Sequence, residues 1–342
     1  MSVNRQVLTI GVTFAMAVFP PAADSQKHFK SGAEAAKLTG NEAATLWRDP
    51  TDIQSRNLFY GSGGKEHEPH GAFTFVEEDL DGTSPKIVVR DDDGVKWKVK
   101  LGAEARPETA ASRLTWAAGY FTNEDYFVKD LRVSKMPPHL RRGQKLVAPD
   151  GSLHDVRLKR HLASEKKAGN WAWRQDPFSG TRELNGLRVL MALMNNWDLT
   201  DENNAVYSEK DQPERIYMVS DVGSTFGTGT LTWPMSRARG NLECYKHSKF
   251  IMSITAAYVD FHTPARPSLF FLFTPREYYN KLHIRWIGRH VPREDARWLG
   301  QLMARLSPEQ IRDAFRAAGY SSDEVEGFAE VVEHRINELV KL

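Results

Sequence analysis

Apolar and polar positions alternate in short bursts through the first third of the chain and recur at helical spacing through the last third. Phe73-Thr-Phe-Val-Glu-Glu78, Lys86-Ile-Val-Val-Arg90 and Val95-Lys-Trp-Lys-Val-Lys-Leu101 are β-branched or aromatic runs of strand length, with the alternation clearest in the third. Between them lie two turn segments, Asp79-Leu-Asp-Gly-Thr-Ser-Pro85 and Asp91-Asp-Asp-Gly94, the second with a hairpin-type Asp-Gly. The pattern predicts a three-stranded antiparallel meander. A helix is expected to cover it, from Pro107 in a first-turn position to Gly119 as the stop. Tyr126–Val133 reads as a further strand, and Met136-Pro-Pro-His139 begins a crossing segment at which the small lobe is expected to end. Beyond it the chain reads as mostly helical, through Arg182–Asn196, Pro292–Leu306, Pro308–Ala318 and Ser322–Leu342. Upstream, Ser31–Trp47 reads as a helix and Asp49–Gly71, rich in Gly, Pro and charge, as a loop.

The first residues have a different character. One positive charge in Met1–Gln6 precedes an apolar run of thirteen residues, Val7–Phe19, then Pro20–Ala23 and the polar Asp24-Ser25-Gln26. That is the order of a secretory leader, and the run is shorter than the roughly 20 residues a spanning helix needs. The expectation is an exported protein, in a periplasm, extracellular space or secretory lumen, with no stable membrane span once the leader is cleaved.

Composition narrows the classes further. With 342 residues, 41% of them hydrophobic and 26% charged, the chain is long enough for two lobes with sizeable cores, which excludes disorder as the main state. Lys and Arg number 46 against 44 Asp and Glu, so no global field draws the chain to nucleic acid. One cysteine, Cys244, excludes an internal disulfide and a zinc site of several thiolates; it reads as a small buried hydrophobe.

Four groups carry candidate chemistry. Lys100 ends the third strand, with Lys98 on the same side and Val99 and Leu101 opposite. Glu108 opens the helix that follows. Asn195-Asn-Trp-Asp-Leu-Thr-Asp-Glu-Asn-Asn204 follows an apolar helix, and Asp221-Val-Gly223 ends a strand-like run. Nucleotide phosphates require a cation, which a strand lysine held by a helix glutamate supplies. Mg²⁺ takes oxygen ligands, which Asp221 and Asn203 offer. Asp198, five residues before Asn203, is placed to take a proton from an acceptor hydroxyl.

This order resembles the protein-kinase-like fold: a strand lysine, a helix glutamate, Asp198-Leu-Thr-Asp-Glu-Asn203 like a D-L-x-x-E-N catalytic loop, and Asp221-Val-Gly223 like D-F-G. The resemblance covers roughly Ala72 to Gly227. Departures set it with the atypical branch, similar to HipA-like, phosphoinositide and secretory-pathway kinases. Gly82-Thr-Ser-Pro-Lys86 stands where a G-x-G-x-x-G loop would, Asn196-Trp197 stands where His-Arg would, Thr200 replaces the loop lysine, and no Ala-Pro-Glu follows.

The resemblance implies an α+β, bilobal fold, with a small antiparallel β-sheet lobe carrying one helix and a larger, mainly helical lobe. The expected divisions are a leader over 1–23, a helix and loop extension over 24–71, and, with the roles the resemblance implies, a nucleotide-binding lobe over 72–136 and a catalytic lobe over 137–342. It implies ATP-dependent phosphoryl transfer to a hydroxyl acceptor of protein, lipid or small-molecule class, with Mg or Mn. Lys100 would meet the phosphates, Glu108 would hold Lys100, Asp198 would be the base, and Asn203 and Asp221 would be the metal ligands. Gly82, Thr83, Ser84 and Lys86 would lie against the nucleotide. Glu104 rivals Glu108, and Asn204 rivals Asn203. A kinase-like binding or scaffold protein without catalysis, or adenylyl transfer on the same fold, are the competing readings.

Other motifs read as structural. Gly61-Ser-Gly-Gly-Lys65 fails the phosphate-loop pattern, and Pro69 breaks the spacing of His67 and His70 as metal ligands. Asp198–Glu209 lacks the glycine a calcium loop needs at Asn203. Trp171 and Trp173 are expected in the core, and Asp91-Asp-Asp93 in a solvated turn.

Overall fold

The computed structural model describes residues 43–82, 84–161, 165–196, 198–209, 214–227, 239–263 and 284–342. The expected leader and most of the helix expected over Ser31–Trp47 lie outside them. The described end of that helix is a strand, β1 (Ala43–Thr45), paired in parallel with β10 (Glu214–Val219). Three short residues in register with an existing strand edge gain ladder hydrogen bonds that no local helix signal anticipates.

The meander forms as expected from β2 (Phe73–Asp79), β3 (Lys86–Arg90) and β4 (Lys96–Lys100), each antiparallel to the next. It is part of a larger sheet. With β5 (Asp125–Leu131), β6 (Val133–Ser134) and β7 (Leu153–Arg160), the strand order is β5-β7-β4-β3-β2-β6. β7 lies beyond the boundary expected near Met136, so the sheet of the small lobe continues to Arg160. Five of the eight residues in β7 are His, Asp, Arg or Lys, which hides its strand character from a hydrophobic pattern.

One face of this sheet is apolar. Ile87, Val89, Trp97, Val99, Leu153, Val156 and Leu158 form a separate core, closed by Leu140 from the crossing segment. The hairpin between β3 and β4 is tied to that core: buried Asp91 accepts hydrogen bonds from Val95 N–H at 2.8 Å and from Trp97 Nε1 at 2.7 Å. Asp91 is therefore a structural acceptor rather than a solvated turn residue. Asp91→Ala should lower stability by about 1–3 kcal/mol, because the buried indole N–H loses its partner. Urea denaturation checks this, and an unchanged midpoint would show that the hairpin holds without the carboxylate.

The other face carries Lys86, Lys98, Lys100, Arg157 and Lys159, set side by side by the register Lys86↔Lys100↔Arg157 and Lys98↔Lys159. Helix α1 (Ala105–Ala117) packs on this side against β5 and β7. It starts two residues before Pro107, and Gly119 at φ +88° ends it in the left-handed region that favours glycine.

The larger lobe is not helical throughout. β8 (Glu165–Gly169), β9 (Asn204–Glu209) and β10 form a second sheet with β1, in the order β1-β10-β9-β8. Helix α2 (Arg182–Leu193) is capped by Thr181 and buried along most of its length. After it come α3 (Leu242–Lys246), β11 (Ile251–Ile254), β12 (Tyr258–Phe261), β13 (Val291–Pro292), α4 (Arg293–Met303), α5 (Pro308–Arg316) and α6 (Ser322–Val340). Capping boxes at Ser307/Gln310 and Ser321/Glu324 start α5 and α6 where the pattern placed them. Trp171 and Trp173 sit in the main core, 2% exposed each, and Cys244 is half-buried. Among the described residues, no helix is long and apolar enough to cross a membrane.

Candidate active site

Strand alternation sends Val99 and Leu101 into the apolar core and Lys100 to the opposite face, where α1 covers it. The Lys100 side chain is 4% exposed and meets three carboxylates. Its Nζ lies 2.8 Å from Glu108 Oε2, 3.0 Å from Glu104 Oε2 and 3.0 Å from Asp221 Oδ1. Burial alone would lower its pKa, but Glu108 and Asp221 outweigh burial and hold it well above the ordinary lysine value. The amine is a fixed positive charge.

The rivalry between Glu104 and Glu108 ends with both in contact with Lys100, in different roles. Glu108 is 1% exposed and also binds Arg157, Nη2 to Oε1 at 2.9 Å, while Arg157 Nη1 reaches Asp125 Oδ1 at 3.1 Å. Glu108 is thus locked into a buried network. Glu104 faces outward along the site, receiving hydrogen bonds from Ser84 Oγ at 2.9 Å and pairing with Arg239 Nη1 at 2.9 Å. Burial raises the Glu104 pKa, but Lys100 and Arg239 more than offset that and keep it below the usual carboxylate value.

Asp221 follows β10 and retains a half-exposed side chain, 42% by area. Burial acts to raise its pKa; Lys100 prevails and lowers it, so the group is ionised throughout the neutral range. A Cβ at Gly223 would lie 2.9 Å from Glu104 Cβ, so only glycine lets this segment approach α1 so closely.

The segment from Asn195 to Asn204 is held from below. At the end of α2, Asn195 is fully buried at φ +55°, and its Nδ2 donates to Gly227 O at 2.8 Å. Arg335 of α6 donates to Leu193 O at 2.8 Å and to Ser248 Oγ at 2.6 Å, with its guanidinium 4.2 Å from the Tyr245 ring centre. These contacts join the residues before Asp198 to those after Asp221. Asn196 occupies the place of the expected His-Arg and accepts the Asp198 N–H at 3.0 Å through Oδ1; Trp197 lies outside the described residues. Asn203 Nδ2 donates to the Asp198 carbonyl at 2.7 Å. Asn204 points the other way, buried with Nδ2 on Trp171 O at 3.0 Å. Asn203, not Asn204, is the asparagine in contact with Asp198. Burial first, and then the Asp221 charge, raise the Asp198 pKa above the ordinary aspartate value.

The turn between β2 and β3 closes the site from the sheet side. Gly82 takes φ +66°, Thr83 lies outside the described residues, Ser84 binds Glu104, and Lys86 is largely buried, its amine 4.0 Å from Asp79. Burial, reinforced by Lys98 and Lys100, lowers the Lys86 pKa. Arg157 and Arg239 are the site residues that the pattern did not single out. Arg157 lies in a strand hidden by its own charges, and Arg239 is eighteen residues beyond Asp221 with no local motif around it. The remaining candidates separate: His67 pairs with Glu124 at 2.9 Å and His70 with Asp93 at 3.0 Å, and Gly61 and Gly63 pack against Arg113 and Tyr126.

The donor set suits a hard divalent cation. The carboxylates of Glu104, Glu108 and Asp221 have oxygen atoms within 4.8 Å of one another. All three are engaged by basic side chains, and Asp221, with a side chain 42% exposed, is the most accessible of them to Mg²⁺ or Mn²⁺.

No family model matches the chain, and no curated protein matches it. Among solved structures, it is similar to the proinflammatory kinase CtkA of Helicobacter pylori, at 11% identity over 80% of this chain and 96% of that one, with a TM-score of 0.43. The Golgi casein kinase matches at 12% identity over 84% of this chain and 78% of its own, with a TM-score of 0.35. The Golgi casein kinase with Mn/ADP bound matches at 12% over 77% and 73%, with a TM-score of 0.32.

Proposed function

We propose that the chain is an ATP-dependent phosphotransferase acting on a hydroxyl acceptor, with Mg²⁺ or Mn²⁺ held by Asp221 and Asn203. The observation that carries this reading is the convergence of Glu108 from α1 and Asp221 from the end of β10, each within 3.0 Å of the Lys100 ammonium group on β4. Residues over 100 positions apart meet in the arrangement that phosphoryl transfer uses.

In this reading Lys100 turns from Asp221 toward the nucleotide phosphates, while Glu108, fixed by Arg157, keeps the amine in place. Ser84 and Lys86 face the same space from the β2–β3 turn. The bound metal would neutralise charge on the phosphates. The acceptor oxygen bonds to the terminal phosphorus as the bond to the bridging oxygen breaks, the electron pair leaving with ADP. The hydroxyl proton passes to the Asp198 carboxylate, whose backbone is held by Asn196 and Asn203.

Thermal denaturation with and without ATP and either metal provides the test. At about 100 times the dissociation constant, stabilisation of about 2.7 kcal/mol is expected. Asp221→Ala should lose most of it, and conversion of ATP to ADP should cease. No shift with any nucleotide, or an undiminished shift in Asp221→Ala, would overturn the reading. A metal-dependent shift without turnover would instead leave a nucleotide-binding protein.

A further inference from the structure

A second group of cations lies on the same sheet face, farther along β4 from the turn. Lys98 and Lys159 are direct register partners on β4 and β7. Across from them, Lys167 on β8 pairs in register with Tyr207 on β9, and the Tyr207 hydroxyl is 3.3 Å from Lys159 Nζ. The Lys159 amine also lies 5.7 Å from the centre of the Tyr207 ring. Strands of the two sheets thus set Lys98, Lys159 and Lys167 near enough for their charges to repel one another.

These charges are poorly compensated. Lys98 pairs with Asp79 at 2.7 Å and keeps a side chain 44% exposed. Among the described residues, no carboxylate lies within ion-pair distance of Lys159 or Lys167. Burial pushes the Lys159 amine down to about 8, with Arg157 and Lys98 acting in the same direction and the more distant Asp125 and Glu108 against it; burial, then Lys159 and Lys98, lowers Lys167 against a pull from Asp81. A half-buried ammonium beside two like charges is costly unless an anion joins it. Lys100, by contrast, is already surrounded by carboxylates.

We propose that Lys98, Lys159 and Lys167 form a second phosphate-binding subsite, for a ligand that carries phosphate beyond the groups held at Lys100. Lys98 and Lys100 are two residues apart on one strand face, about 7 Å. One extended ligand can engage both. Two sources share this chemistry, a linear polyphosphate chain and a nucleotide with an additional phosphate on its sugar. The subsite rests on the proposed function in so far as Lys100 holds the ligand's other phosphates; binding at the subsite needs neither a metal nor turnover, so its failure is distinguishable from failure of transfer.

Calorimetric titration of the full chain with inorganic tripolyphosphate, in EDTA at physiological ionic strength, tests it. Lys98→Gln and Lys159→Gln should each weaken binding at least about ten-fold, equivalent to about 1.4 kcal/mol. Lys145→Gln removes the same charge from an exposed turn and should leave affinity within about two-fold. Adenosine 3′,5′-bisphosphate, titrated in parallel, distinguishes a nucleotide source from a polyphosphate chain by which binds tighter. Absence of binding by the unaltered chain, or equal affinity in Lys98→Gln and Lys159→Gln, overturns the proposal. Should those variants fail to fold, the unaltered protein is treated with pyridoxal 5′-phosphate and borohydride. Lys159 should then be labelled ahead of the exposed lysines and protected by tripolyphosphate; labelling unaffected by tripolyphosphate overturns the proposal.

Discussion

Asp198→Asn is expected to lower the turnover rate by about 10²–10⁴-fold while leaving the nucleotide-induced thermal stabilisation largely in place. In the proposed mechanism the carboxylate accepts a proton only as the acceptor oxygen attacks, so its loss would fall on the transition state rather than on bound nucleotide. Its environment supports that division. Burial and then the Asp221 charge raise its pKa, and its backbone is pinned on both sides, by Asn196 at the N–H and Asn203 at the carbonyl. The acid limb of the pH–rate profile should accordingly lie above the ordinary aspartate value. The sign for stability is opposite. A carboxylate whose pKa is raised on folding favours the folded state only while protonated, and that contribution is lost as pH rises through the folded value. At neutral pH the ionised group therefore opposes folding, and Asp198→Asn should melt at or above the temperature of the unaltered chain. Turnover within a few-fold of the original would remove Asp198 as the base.

Glu108→Ala is expected to destabilise the fold by about 3 kcal/mol, the lower part of the range for breaking a buried ion pair. The group is 1% exposed and neutralises Lys100 and Arg157 together. Asp125 would still face Arg157, and Glu104 and Asp221 would still face Lys100, which keeps the cost from being higher. The urea midpoint should fall with little change in slope. Glu104→Ala should cost less, because Glu104 is nearer solvent and its Arg239 partner is 29% exposed. A larger loss in Glu104→Ala than in Glu108→Ala would transfer the lysine-holding role to Glu104.

Much of the small lobe was legible before folding was considered. The β2–β4 meander, the helix that follows, and Lys100 opposite Val99 and Leu101 all come from period-two alternation and turn chemistry, which act between near neighbours. The helices after residue 292 were readable for the same reason, with Ser307 and Ser321 as explicit starts. β1 and β7 were not. β1 has too few residues to carry a pattern, and β7 is rich in charges whose burial becomes tolerable only opposite Asp125 and Glu108.

The amino-acid sequence by itself determined which chemistry could occur: a strand lysine, a helix glutamate, an aspartate five residues before an asparagine, and an aspartate before glycine. Tertiary structure decided which atoms meet. It turned Asn203 toward Asp198 and Asn204 toward Trp171, set Glu104 and Glu108 on the same ammonium, and brought Arg157 beneath them. Side-chain periodicity is a property of neighbours along the chain, whereas the pairing of a buried charge depends on whatever residue the fold places opposite it, at any sequence distance.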